Sequence, residues 1–261
     1  MKVSIIMPAY NEEKRIGKTL KTYSEYFDGL TVEGKLTYEI VIVINNTTDK
    51  TEEVVRSVQK KNKKVRYLKF KRGGKGFAVM EGFRDALKRN NDLIGFVDAD
   101  MATSPAAFHL LIENIEHYDG AIADRYMRGA KIIPSFSFRR IVVSRVFNFL
   151  VRSLFGFKYR DTQCGAKLFS RKCVEKMKDD LTITQWAFDI DVLYSSKKNN
   201  FKIKSVPTIW MEMEGSKLNI GRTSLEMFFA IMQLRILRSP FKRNLIFLKP
   251  FISILYGAVK K

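Results

Sequence analysis

The chain has 261 residues, 46% of them hydrophobic, and carries 47 Lys and Arg against 27 Asp and Glu, a formal net charge of +20. Two cysteines and two histidines exclude a disulfide framework, a zinc-ligand spacing and a histidine metal centre. The apolar content suffices for one large core or two small ones, and the charge calls for an anionic partner: nucleic acid, a phosphorylated substrate or a membrane surface.

Met1-Lys-Val-Ser-Ile-Ile-Met7 reads directly as a first strand, with no leader-like apolar region or cleavage site. Cys164 and Cys173 read as small packing residues in a reducing, cytoplasmic setting, and His109 as a helix-surface residue. Short branched apolar runs at 3–7, 39–44, 65–70, 93–97 and 120–123 predict strands. Helical patterns at 12–26, 49–61, 76–89 and 105–116 lie between them. Such alternation predicts an α/β fold with a mainly parallel, doubly wound sheet. Ser104-Pro105 supplies a helix start, with Ser as the cap and Pro in the first turn.

Three segments in this half carry chemistry. The fourth run, Leu93-Ile-Gly-Phe-Val97, stops at Asp98-Ala-Asp100, which places hard oxygen ligands at the carboxyl end of a buried strand, where open α/β sheets bind ligands. Two carboxylates one residue apart suit Mg²⁺ or Mn²⁺, ions that take few protein ligands and several phosphate oxygens. Pro8-Ala-Tyr-Asn-Glu12 follows the first strand and turns its backbone, with Asn11 or Glu12, toward the same crevice. Arg72-Gly-Gly-Lys-Gly76 precedes a helix: its glycines allow close backbone approach, and Lys75 adds a cation where a helix start favours anions. The spacing is not that of a P-loop.

After Asp124 the pattern changes. A helix is predicted over 140–155, with Arg140, Ser144, Asn148 and Arg152 recurring every four residues along one stripe and apolar residues on the other faces. A strand at 165–169, helices at 171–178 and 188–198, and a pair of strands at 201–206 and 208–213 follow. Residues 125–160 hold nine Lys/Arg and no Asp or Glu amid Phe, Val, Leu and Ile, which suits a membrane interface better than a nucleic-acid groove. Segments 224–237 and 244–259 are strongly apolar but interrupted by Arg235, Arg238, Lys242, Arg243 and Lys249-Pro250. They fall short of the roughly 18–20 uninterrupted apolar residues of a spanning helix and read as in-plane interfacial helices; core or dimer helices are the alternative.

In order, Pro8-Ala-Tyr-Asn-Glu12, Arg72-Gly-Gly-Lys-Gly76 and Asp98-Ala-Asp100 resemble the family 2 glycosyltransferases of the GT-A fold. Three later blocks narrow the likeness: Arg160-Asp-Thr-Gln-Cys-Gly165 with Lys167, Trp186-Ala-Phe-Asp189, and Trp210-Met-Glu-Met-Glu-Gly-Ser-Lys217. That set looks like dolichyl-phosphate glucosyltransferases and, less closely, dolichyl-phosphate mannose synthases, over about residues 3–238.

The resemblance implies inverting transfer of a sugar from a nucleotide sugar to a polyprenyl phosphate. Asp98 and Asp100 would hold the metal on the diphosphate. Pro8, Tyr10, Asn11, Glu12, Asn45 and Lys75 would line the nucleotide, with Asp98. Arg125, Arg140 and Ser144 would grip the acceptor phosphate, since guanidinium forks pair well with phosphate oxygens. Gln163, Trp186 and Asp189 would face the sugar and the attacking oxygen; a phosphate oxygen is already anionic, so Asp189 orients, and its service as a base stays open. A catalytic unit over 1–220 would divide into a nucleotide-sugar half, 1–124, and an acceptor half, 125–220, with membrane-interface helices over 221–261.

Two departures from the family pattern matter. Ile44-Asn45-Asn46-Thr47 stands where relatives carry Asp-Asp-Gly-Ser, although Asp49 is kept. An amide at 45 both donates and accepts, matching uracil O4 and N3–H, which favours UDP-glucose over GDP-mannose. The hydrophobic anchor of many relatives is missing, so contact with the cytoplasmic face of an anionic membrane would be peripheral. The rivals are a GDP-mannose enzyme, a family 2 transferase with another acceptor, and a basic nucleic-acid-binding protein, which would need no paired aspartates. The resemblance implies no nucleic-acid partner.

Overall fold

A computed structural model describes residues 1–182, 187–212 and 220–239. In chain order the elements are β1 (Lys2–Ala9), α1 (Ile16–Val32), β2 (Thr37–Asn45), α2 (Thr51–Lys61), β3 (Val65–Phe70), α3 (Lys75–Leu87), β4 (Leu93–Phe96), α4 (Pro105–Glu113) and β5 (Gly120–Asp124). There follow β6 (Lys131–Ile133), α5 (Phe138–Phe155), β7 (Lys167–Ser170), α6 (Arg171–Met177), α7 (Phe188–Lys198), β8 (Ile203–Pro207), β9 (Ile209–Met211) and α8 (Ile220–Leu237).

The main sheet has seven strands in the order β3-β2-β1-β4-β7-β5-β8. β1 runs parallel to both β2 and β4, and β5 parallel to β8, while β7 is antiparallel to its neighbours β4 and β5. The mainly parallel, helix-flanked α/β sheet expected from the alternation is thus present, with one strand reversed. Because the chain leaves β1 toward β2 and returns on its other side as β4, the sheet has a switch point between β1 and β4, where a crevice opens beyond the strand ends.

Both faces of the sheet are covered, which is why β1, β2 and β4 read as continuous apolar runs instead of alternating ones. On one face Tyr23 and Phe27 of α1 meet Phe108 of α4; on the other Phe83 of α3 meets Phe96, Phe169 and Phe188. Ser104 caps α4 as expected, accepting from the Ala107 N–H at 3.2 Å with Pro105 in the first turn.

Several boundaries differ from the sequence reading. The first helix begins at Ile16, not residue 12, because Glu12 closes a turn by accepting from the Arg15 and Ile16 N–H groups. The strands expected at 201–206 and 208–213 do not pair with each other: β8 extends the main sheet beside β5, and β9 joins the unanticipated β6 in a parallel two-stranded ribbon.

The stripe on α5 is oriented by its neighbours. Asn148 is buried and Arg140 and Ser144 are half-buried, whereas Phe138 (81% exposed), Phe149 (66%), Val146 (54%) and Val142 (43%) face outward. Helix α5 therefore buries Phe147, Val151 and Phe155 with Asn148 among them, and leaves an outer face on which Phe138, Val142, Val146 and Phe149 stand beside Arg139 and Arg145.

Helix α8 is part of the packed structure. Its Ala230, Ile231 and Leu234 are buried in a third core cluster with Phe147 and Val151 of α5 and Ile190 and Leu193 of α7. Arg238, just beyond α8, donates from Nε to Asp191 of α7 at 2.8 Å, and Tyr194 donates to the Arg238 carbonyl at 3.3 Å. Its Leu225 and Phe228 are exposed. The segment expected at 244–259 lies outside the described residues. Among the described residues no helix is long and apolar enough to cross a membrane.

Candidate active site

The loops after β1, β2 and β4 meet the N-terminus of α3 and the 161–165 loop at the switch-point crevice. Asp98 lies just past β4 and accepts from Lys75 Nζ, on the first residue of α3, at 2.6 Å. Lys75 also reaches Asp189 Oδ2 at 3.8 Å, in the first turn of α7. The other oxygen of Asp189 accepts from Lys167 Nζ at 2.5 Å, and Lys167, 1% exposed, donates also to the Cys164 carbonyl at 2.7 Å. Asp98, Lys75, Asp189 and Lys167 thus form a line of alternating charge from the crevice into the core.

Burial opposes the charge on Lys75, but Asp189 and Asp98 outweigh it and hold its pKa above the ordinary lysine value. Asp100 completes the acidic end, its Oδ1 accepting from the Ala102 N–H at 2.9 Å. Burial, and then the neighbouring Asp98, push its carboxyl pKa upward. A half-buried carboxylate beside a second one wants a cation, which is the chemistry of a divalent-metal position. Among the described residues no group of three or more His, Cys, Asp and Glu could hold a metal. The pair therefore fits an ion that takes its remaining ligands from a bound phosphate.

Glu12 lies beside this pair. Its carboxylate takes a bidentate bond from Arg15 at 2.8 and 2.9 Å, and burial raises its pKa, with Asp100 and Asp49 adding to the rise against Arg15. Tyr10 is exposed and Pro8 half-buried at the end of β1. Asn11, at φ 53°, accepts from the Thr48 N–H at 2.9 Å and so ties the loop after β1 to the loop after β2.

Asn45 ties two loops together. It is buried, its amide N–H donating to the Ala9 carbonyl at 3.0 Å and its carbonyl accepting from the Gly74 N–H at 3.0 Å. Both ends of the amide thus hold the glycine-rich loop against β1 and β2, and one N–H and one carbonyl lone pair are left over from these two bonds.

Arg125 is paired within the protein. Its guanidinium donates to Asp161 at 2.7 and 3.0 Å and stacks over Trp210, 4.9 Å from the ring centroid. Asp161 is fully buried and accepts further from the Arg125, Gln163 and Cys164 N–H groups. Burial works against its charge, but Arg125 outweighs burial and holds the carboxyl pKa below the usual range. The first task of Arg125 is to pin the loop that carries Gln163, which is half-buried there. Burial pushes the Cys164 thiol up to about 12, which makes it a packing residue.

On α5, Ser144 shares a hydrogen bond with the Tyr126 hydroxyl at 2.6 Å, and Arg140 pairs with Glu212 while stacking over Phe136 at 4.0 Å. Burial, with Arg125 nearby, lowers the Arg140 pKa, so Arg125, Arg140 and Ser144 are brought into one neighbourhood. Trp186 and the Glu214-Gly-Ser-Lys217 block lie outside the described residues. Sequence reasoning assigned no role to Lys167, Asp161, Arg15 or Glu212. For Lys167 and Asp161 the signal was their position within the Arg160–Lys167 block.

Comparison with known proteins accords with this arrangement. The model of the family "Glycosyl transferase family 2" matches residues 4–178. The dolichyl-phosphate beta-glucosyltransferase of Dictyostelium discoideum is 32% identical over 243 residues, covering 89% of this chain and 73% of its own. That of Drosophila melanogaster is 34% identical over 229 residues, covering 84% and 69%. Glucosyl-3-phosphoglycerate synthase from Mycobacterium tuberculosis, crystallised with Mn²⁺, UDP and phosphoglyceric acid, superposes with a TM-score of 0.65 at 18% identity over 90% of this chain and 78% of that one. With a family model spanning more than half of its length and relatives above 30% identity along most of it, the chain belongs to glycosyl transferase family 2 and is a glycosyltransferase of the GT-A fold.

Proposed function

We propose that the protein transfers glucose from UDP-glucose to dolichyl or another polyprenyl phosphate, with inversion, while resting on the cytoplasmic face of a membrane. The relatives named above carry that acceptor and sugar in their names, and the similar structure was crystallised with UDP and Mn²⁺. The observation that supports the acceptor is helix α5, whose half-buried Arg140 and Ser144 share a neighbourhood with Arg125 and Tyr126 while Phe138, Val142, Val146 and Phe149 are exposed. A phosphate with a long hydrocarbon tail matches both sides of that helix.

Asp98 and Asp100 would hold a divalent metal, Mg²⁺ or Mn²⁺, which offsets charge on the departing diphosphate when bound. Lys75, at the start of α3, adds a second cation on the same side. Arg140 and Ser144 position the acceptor phosphate, whose oxygen attacks the anomeric carbon as the bond to UDP breaks. That oxygen is anionic at neutral pH, so no side chain has to remove a proton from it. Asp189, held by two lysines, orients the site and is not its base. Positioning and preorganised charge then supply the acceleration.

The test is a screen of UDP and GDP sugars against polyprenyl phosphates with Mg²⁺ or Mn²⁺, products identified by mass. Glucosyl phosphopolyprenol from UDP-glucose is expected. Preference for GDP-mannose would reassign the donor, and turnover only with a non-lipid acceptor would reassign the acceptor.

A further inference from the structure

We infer that Lys75 is the built-in counter-ion with which a divalent metal competes for Asp98, so that metal and nucleotide enter the site together and bind poorly alone. This rests on the metal-dependent reading above and adds a binding order to it. The Lys75 ammonium lies 2.6 Å from Asp98 Oδ1, directly on one of the two carboxylates offered to the metal. A dication on that oxygen must share it with a full positive charge or move the lysine.

The other Asp98 oxygen gives little room for retreat. A Cβ on Gly165 would stand 1.9 Å from Oδ2, so the carboxylate is backed against the 161–165 loop. Nor do other side chains compensate, because no third His, Cys, Asp or Glu completes a metal-ligand group among the described residues.

The lysine, by contrast, has somewhere to go. Asp189 Oδ2 lies 3.8 Å from Nζ, so Lys75 can leave Asp98 and keep an anionic partner. A nucleoside diphosphate arriving at the helix start offers a better one and supplies oxygen ligands to the metal in the same event. Each ligand thereby removes an obstacle to the other. The coupling is reciprocal: the factor by which UDP tightens Mn²⁺ is the factor by which Mn²⁺ tightens UDP.

The experiment follows free Mn²⁺ by electron paramagnetic resonance in titrations of the full chain, with and without saturating UDP. Wild type is compared with Lys75→Met, Lys75→Gln and Lys75→Arg, each checked for folding by thermal melt. In wild type, UDP is expected to tighten Mn²⁺ by about ten- to a hundredfold. Lys75→Met and Lys75→Gln should bind Mn²⁺ alone at least about tenfold more tightly than wild type, and Lys75→Arg, which keeps the charge, should stay close to wild type. If Met and Gln bind the ion alone no better than wild type while wild type with UDP binds it, the inference fails and the metal reading stands. Tight binding by Lys75→Arg also overturns it. In wild type alone, Mn²⁺ affinity indifferent to UDP overturns it without recourse to a variant. Absence of Mn²⁺ binding even with UDP would overturn the metal reading and this inference with it.

Discussion

Gly165 and Asp98 occupy adjoining space: a Cβ on Gly165 would fall 1.9 Å from one carboxylate oxygen of Asp98. The glycine is thus required by the Asp98 carboxylate and not by a left-handed backbone. Its neighbour is the end of a short side chain, so a methyl group there displaces Asp98 before it displaces the sheet. Gly165→Ala is expected to fold with a melting temperature within a few degrees of wild type and to lose turnover by at least about tenfold, since misplacement on the scale of an ångström is that costly. Steady-state kinetics beside a thermal melt checks this; an active, unstable variant would show that the glycine serves packing alone.

The Asp161–Arg125 pair makes stability depend on pH. The folded-state pKa of Asp161 is depressed, chiefly because Arg125 overcomes the cost of burial. Its contribution is therefore present above the unfolded carboxylate pKa and lost as pH falls through the folded one. Asp161→Asn strands a buried guanidinium and is expected to cost about 3–5 kcal/mol near neutrality. The gap between wild type and variant, followed by denaturant titration, should narrow as pH drops below the ordinary carboxylate range. A gap that widens toward acid would reverse the assignment.

Arg140 of α5 pairs with Glu212 and stacks on Phe136, and the proposed function gives it the acceptor phosphate. Arg140→Ala should raise the KM for polyprenyl phosphate about tenfold or more while leaving that for the nucleotide sugar nearly unchanged, as removal of a charge-assisted phosphate contact would. Equal weakening of both substrates, or unfolding in the melt, would make the residue structural.

Phe149 and Phe138 project from the outer face of α5 at 66% and 81% exposure. Replacing both with Ser should weaken binding to vesicles containing anionic lipid, by about 1.5–3 kcal/mol for each aromatic ring that is buried there in the wild type. UDP-glucose affinity should not change. Binding should also weaken in salt, because exposed basic residues of 125–160 such as Arg139 and Arg145 contribute about 1 kcal/mol each near an anionic surface. Sedimentation with vesicles measures both, and undiminished binding by the double variant would move the membrane face elsewhere.

The legible part of this protein was local. A branched apolar run makes a strand wherever it is buried, so β1 to β5 and the acids closing β4 could be read from neighbours in the chain, and the order of motifs carried the family. Helix periodicity likewise exposed a polar stripe on α5. Which way that stripe faces depends on α7 and α8, which bury Phe147 and Val151 and leave Phe149 outside. Partner choice was equally out of reach of local pattern: Lys167 meets Asp189 across 22 residues, Arg125 meets Asp161 across 36, and Arg140 meets Glu212 across 72. Asn45 could be recognised as a polar residue at a strand end, but only the fold brought Gly74, 29 residues away, onto its carbonyl. Sequence by itself determined the strand ends and the charges near them, because backbone preference and burial act over a few residues. The tertiary structure alone decided which charges neutralise one another and which remain for a ligand, because a buried ionic group takes whichever opposite charge the fold brings within hydrogen-bonding distance.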